Sequence, residues 1–252
     1  MPKEFQPLLR CISPSAFKVV DWQSLLAEAP GLTRRFLRQE GVGELKKSLE
    51  PLLPEQICFA QEGSTQGKED FASAAQLGES LLELYFLQIF NPRGLFLDLR
   101  SQGFKPLPSG LLLWSPNGLW VQWQEPFRQG LVKIYRGYYG DQPALLREGL
   151  EEVGLIRHDF PPQKVQEVES MLLQHIGGQT EGQRFSVEHF TQSFERLFLY
   201  LLDNKIRLSP DFLLLGVYLA SLYLHLESLD EAYNVRRSFE RAEQRFFRDE
   251  FV

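Results

Sequence analysis

The chain has 252 residues, 43% hydrophobic and 24% charged, with a formal net charge of −6. That profile suits a soluble globular protein with one generous domain, or one domain and a small appendage, and it offers no overall basic field to hold nucleic acid. Its two cysteines, Cys11 and Cys58, lie outside any CxxC pair, which argues against a disulfide scaffold and against a Cys-type zinc site.

The N-terminal MPKEFQPLLRCISPS lacks an apolar core behind a basic start, so no signal peptide is expected. Cytoplasm, or the periphery of a membrane, is the expected location. From Asp21 to about Pro54 the chain predicts short helices (DWQSLLAEA, LTRRFLRQE, VGELKKSLEPLL), broken at Pro30-Gly31 and at Gly41–Gly43. Arg34, Arg35 and Arg38 form a local basic patch that reads as a solvated helix face. Residues 61–70, QEGSTQGKED, read as a loop or internal boundary. Asp70 is placed to cap a long helix to about Phe90, with Ala74, Leu77, Leu81, Leu84, Tyr85 and Ile89 at helical spacing.

Asn91-Pro92 ends that helix, and Gly94–Leu99 reads as a strand. Leu111–Trp114 and Leu119–Gln124 read as a strand pair across Asn117-Gly118, a dipeptide suited to a tight type I′ hairpin. Alternation puts Leu119, Val121 and Trp123 on one face and Trp120, Gln122 and Gln124 on the other. Helices then follow at Phe127–Tyr139, Pro143–Val153, Pro161–Ile176, Val187–Leu202, Ser209–Leu226 and Leu229–Phe247, with Ser186 and Ser209 as N-caps. The apolar run Phe212–Leu226 is short of the roughly 20 residues a membrane span needs and reads as a buried core helix.

No catalytic pattern stands out. His158, His175, His189 and His225 are scattered without the i, i+3 or i, i+4 partners of a helical metal site. Glu151-Glu152 and Glu167/Glu169 sit on amphipathic helices beside Lys or Arg and read as solvated faces. There is no GxGxxG, no GxxxxGK[ST] and no GxSxG, and neither cysteine has a nearby histidine. KIYRGYYGDQ (133–142) has the spacing of a core-facing helix rather than a base-stacking platform.

The order of elements resembles the UbiB/AarF group of atypical protein-kinase-like proteins. LGESLLELYFLQIF (77–90) resembles the helix that precedes that family's catalytic loop. KPLPSGLLLWSPNGLWVQWQEP (105–126) resembles the loop and its hairpin, and LVKIYRGYYGDQPALLREGLEEVGLI (131–156) the helices after it. RLSPDFLLLGVYLASLYLHLESLD (207–230) resembles the late helix pair, so the resemblance covers about residues 70–235 in the family's order. It implies a kinase-like C-lobe over 70–252, containing strands within 94–124, behind a short helical N-terminal segment, 1–62, that replaces the N-lobe.

Such a lobe transfers phosphoryl groups with a loop Asp, an Asn and a second Asp holding Mg²⁺. Aligned on the hairpin, the loop Asp falls at Lys105, its second His at Leu107, the Asn at Leu111 and the second Asp near Gln124, with Glu125 as a displaced carboxylate. A shifted register puts Leu97 and Leu99 at the His and Asp and Phe104 at the Asn. Lys18 is the lone candidate for the N-lobe lysine. The resemblance therefore implies a degenerate cleft at Lys105, Leu111, Trp114, Trp123, Gln124 and Glu125, with the tryptophans filling or covering it and with no catalytic, cofactor or metal residues.

The expected fold is mainly α with a small β-hairpin or sheet. The expected function is a non-catalytic, pseudokinase-like binding, regulatory or scaffold protein with a protein partner, connected by the resemblance with isoprenoid-lipid or quinone metabolism. Two other functions stay open: a helical carrier of an apolar lipid or quinone in the Phe-rich helices 187–202 and 212–226, and an enzyme of unrecognised type. No nucleic-acid partner, cofactor or membrane span is expected.

Overall fold

A computed structural model of the chain describes Leu8, Cys11, residues 15–21, Gln23, Ala27, residues 30–31, 39–60, 73–107, 109–176 and 182–248. Asp70, the loop 61–70 and the patch at Arg34, Arg35 and Arg38 lie outside the described residues. In chain order the elements are α1 (Ala16–Val19), α2 (Val42–Leu49), β1 (Ile57–Phe59), α3 (Ala74–Phe90), β2 (Leu95–Phe96), β3 (Phe104–Pro106), β4 (Leu112–Trp114), β5 (Trp120–Val121), α4 (Glu125–Tyr139), α5 (Pro143–Glu152), α6 (Pro162–Ile176), β6 (Gln183–Arg184), α7 (Val187–Asp203), α8 (Pro210–Leu229), β7 (Ala232–Tyr233) and α9 (Val235–Phe246). The protein is mainly helical with small sheets, an α+β arrangement dominated by α.

These elements cluster into two compact units, each assembled from separate stretches of chain. One comprises Met1–Gly31, Trp123–Gln179 and Ser186–Ala220; the other comprises Leu32–Gln122, Thr180–Phe185 and Ser221–Val252. The division falls inside α8. By length and composition α8 could cross a membrane, yet no residue from Pro210 to Leu226 is exposed, as expected of a core helix.

In the first unit α4 and α5 form a close antiparallel pair, because glycine removes side chains where the two backbones meet. A Cβ on Gly149 would stand 2.6 Å from the Gly130 carbonyl oxygen and 2.7 Å from the Ile134 nitrogen, while Gly137 lies directly against the Leu146 backbone. Leu131, Ile134, Tyr135, Leu146 and Leu150 bury the seam, so KIYRGYYGDQ is largely core-facing helix. Helix α7 begins where the sequence predicts: the Ser186 hydroxyl accepts the His189 N–H at 3.3 Å. Val20 and Leu208 form a parallel bridge, tying the end of α1 to the approach to α8.

In the second unit α3 carries a capping box. The Ser73 hydroxyl accepts the Gln76 N–H at 3.2 Å and the Gln76 side chain accepts the Ser73 N–H at 3.1 Å. Helix α9 packs along α3. Phe239 stands edge-on to Phe86, and the pairs Arg241–Glu79 (3.1 Å) and Arg245–Glu83 (2.8 Å) flank that contact.

The strands depart from the expected hairpin. β4 pairs antiparallel with β3 and parallel with β1, whereas β5 pairs with β2 in a separate two-stranded sheet. Asn117-Gly118 does make a turn, but not type I′, which needs positive φ at both central residues. Only Gly118, at φ +78, has it. Asn117 spends its side chain elsewhere: Oδ1 accepts the Leu119 N–H at 3.0 Å and Nδ2 donates to Asp98 at 2.8 Å. The segment expected to hold only short helices also supplies β1, whose pairing to β4 fixes residues 57–59 within this unit.

Candidate functional site

The positions that the resemblance assigns to a catalytic loop run from Leu97 to Leu111, all in the second unit. β2 leads into them and is pinned from behind, since the Phe96 N–H donates to Gln88 of α3 at 2.8 Å. The next residues are held by the second half of α8. Ser221 Oγ accepts the Leu99 N–H at 3.0 Å and donates to the Leu97 carbonyl at 3.1 Å. His225 donates its Nδ1 proton to the Leu99 carbonyl at 2.8 Å, its ring 5.3 Å from that of Phe104. Burial pushes the His225 pKa below its ordinary value, partly offset by that hydrogen bond and by the Asp98 charge, which keeps the ring neutral at physiological pH.

The acidic group in this stretch is Asp98, and it is fully engaged. Arg100 Nε donates to Oδ1 at 2.8 Å and Arg100 Nη2 to Oδ2 at 2.6 Å. The Arg100 backbone N–H adds a bond to Oδ1 at 3.1 Å, and Asn117 adds one to Oδ2. Asp98 is 7% exposed and Arg100 5%. A bidentate, buried pair of this kind fixes loop geometry and presents no carboxylate to solvent. Nothing in the sequence beyond two charges inside the apolar run LFLDLR marked this pair.

The six residues of the expected degenerate cleft divide between the units. Lys105 is exposed on β3, and Leu111 is half-buried just before β4. Trp114 is 0% exposed: it stacks on Phe59 (5.1 Å) and Phe104 (5.7 Å) and meets Phe96 edge-on (5.4 Å). It is a core residue rather than a lid. Trp120, from the same stretch, anchors the turn before α2 by donating Nε1–H to the Glu40 carbonyl at 2.7 Å.

In the first unit, Trp123 packs edge-on to Phe127 (5.7 Å) and Tyr218 (6.3 Å). Gln124 caps α4, and its backbone N–H donates to Asp211 at 3.3 Å. Glu125 opens α4 with its carboxylate gripped by Arg128 (2.6 and 3.0 Å) and Gln129 (2.8 Å). Those hydrogen bonds hold its pKa down at about 2. Both oxygens thus take hydrogen bonds from side chains of α4 itself, while the Glu125 side chain stays more than half exposed. Lys18 is exposed on α1, a helix and not a strand.

Among the described residues no group of three or more His, Cys, Asp or Glu side chains is placed to hold a metal ion. Cys11 and Cys58 form no disulfide, and burial raises the Cys58 thiol pKa. Phe194 and Phe212 of the Phe-rich helices α7 and α8 line two apolar spaces of about 20 Å³ each, and Phe198 lines one of them. That is room for about one water molecule, so the aromatic rings fill the interior as a close-packed core does.

The first unit also holds an open cleft of about 380 Å³ at the starts of α4 and α8 and the end of α5. Asp21, Gln124, Glu152, Arg207, Ser209 and Asp211 supply its polar groups, and Pro126, Phe127, Val153 and Pro210 its apolar walls. Of the expected site residues only Gln124 lines it. Compared with known proteins, the chain matches no protein-family model and no curated protein.

Proposed function

We propose that the protein is a non-catalytic, pseudokinase-like binding or scaffold protein, whose helices and loop derive from a C-lobe of the UbiB/AarF kind. The observation that carries this is the state of Asp98, the one carboxylate between Leu97 and Leu111, held at four points by Arg100 and Asn117. Phosphoryl transfer needs a base near the attacked phosphate and side chains free to hold Mg²⁺. The corresponding positions here are Leu97, Leu99, Lys105, Leu111 and Gln124, none of which supplies such a group. Fold and surface survive the loss of these acids, leaving recognition of a protein partner as the function. A connection with isoprenoid-lipid or quinone metabolism follows from the resemblance alone.

Calorimetric titration of the purified chain with ATP and Mg²⁺ tests this assignment. No heat of binding is expected up to millimolar nucleotide. Saturable micromolar binding would contradict it.

A further inference from the structure

The chain has four asparagines, and only Asn117 is followed by glycine. Asn91 precedes a proline, which has no N–H, while Asn204 and Asn234 precede Lys205 and Val235. Glycine, lacking a Cβ, offers the least hindered backbone nitrogen. The fold requires it here: Gly118 has φ +78, and a Cβ would run into the Gln39 side chain. Asn117 itself is exposed, and its Oδ1 accepts the N–H of Leu119, two residues on, at 3.0 Å. This Asx turn folds the side-chain amide over the intervening Gly118 peptide and keeps the two groups together. The Leu119 N–H also lies where negative charge develops on Oδ1 when Cγ is attacked, as an oxyanion donor does.

We propose that Asn117 is a self-modification site, at which the folded chain converts its own amide to a carboxylate, and that the product loosens the clasp on Asp98. The Gly118 nitrogen gives its proton to hydroxide and attacks Asn117 Cγ. The new N–Cγ bond closes an imide ring, the Cγ–Nδ2 bond breaks, and ammonia leaves. Water then opens the ring at either carbonyl, leaving aspartate or isoaspartate at position 117. The Nδ2 that donated to Asp98 Oδ2 at 2.8 Å is lost, and a second carboxylate stands against a buried one. Like charges at that separation repel. The repulsion falls on the loop after β2, because Asp98 is tied to Arg100 and the Leu119 carbonyl holds the Leu97 N–H at 2.9 Å. This modification is independent of the scaffold assignment.

Peptide mapping by mass spectrometry tests the first half, on the full chain held for days in warm, mildly alkaline buffer. Asn117 should lose its amide well before Asn91, Asn204 and Asn234, and appear as a mixture of aspartate and isoaspartate. A parallel sample in urea reports the unfolded chain. Conversion of Asn117 in urea but not in the folded protein would overturn the proposal, as would equal conversion of the other asparagines. Urea unfolding of two variants tests the second half. Asn117→Asp supplies one product in pure form. Asn117→Ser removes the donor to Asp98 without adding charge, and its hydroxyl can still accept the Leu119 N–H. Asn117→Asp should be the less stable of the two, with a folding equilibrium constant about ten-fold lower. An Asn117→Asp chain as stable as Asn117→Ser, or more so, would show that the product leaves the Asp98 clasp intact and would overturn that half.

Discussion

Arg100 grips Asp98 with two parallel hydrogen bonds, Nε to Oδ1 at 2.8 Å and Nη2 to Oδ2 at 2.6 Å, and both side chains are buried. The pair lies in the second unit immediately after β2, in the loop whose backbone α8 clasps through Ser221 and His225. Its function is to set loop geometry, and each charge depends on the other.

Removing one partner should therefore be far worse than removing both. Arg100→Ala leaves a buried carboxylate without its counter-charge, at a cost of about 3–5 kcal/mol. Asp98→Leu combined with Arg100→Met should recover part of that loss, because the desolvation penalty of both ions disappears. Urea unfolding of the two single variants and the double variant measures the coupling directly. A loss in the double variant equal to the sum of the two single losses would show that the pair contributes nothing as a pair.

Close approach of α4 and α5 gives an opposite pair of expectations for two helical glycines. Gly149→Ala places a Cβ 2.6 Å from the Gly130 carbonyl oxygen, so the helices must part, costing about 1–3 kcal/mol in spite of alanine's better helix propensity. Gly216→Ala, in α8, meets nothing within 4 Å and should stabilise by about 0.5–1 kcal/mol. Thermal melts of the two variants should move in opposite directions.

His225 makes stability depend on pH. Its folded pKa is lowered from the ordinary 6.5, so as pH falls the unfolded chain takes up the proton first. Stability is then full above pH 6.5 and declines as pH falls from there toward the folded pKa. The His225→Gln variant should lose this slope while retaining the acid sensitivity due to carboxylates lower down. Urea midpoints measured from about pH 7.5 to about pH 5.5 resolve the two contributions. A wild-type midpoint that is flat across that interval, or one that rises toward acid, would contradict the buried, neutral imidazole.

Much of the helical framework was legible in the sequence because it is local. Apolar spacing and the Ser186 cap placed α7, and Asn91-Pro92 ended α3. The start of α3 was also written locally, in Ser73-x-x-Gln76, although Asp70 drew attention as the more familiar cap. Strand pairing was not legible. β1 is three residues long, and its partner β4 lies more than fifty residues away, so no short-range pattern announces it. Asn117-Gly118 correctly signalled a turn, but a turn does not decide which strands it joins, and here β4 and β5 belong to different sheets.

The candidate site was legible only in part. The resemblance pointed to the loop after α3, yet Trp114 belongs to an aromatic core with Phe59, Phe96 and Phe104 instead of covering a cleft. Gln124 does line a cleft, together with Arg207 and Asp211, residues more than eighty positions later in the chain that no motif connects to it.

The central claim, that the loop after β2 performs no phosphoryl transfer, is tested most directly by phosphate release from ATP by the purified chain, with Mg²⁺ and with Mn²⁺, beside the Asp98→Asn and Glu125→Gln variants. The expected result is release indistinguishable from a protein-free blank for all three proteins. Release by the wild-type chain that either substitution abolishes would contradict it.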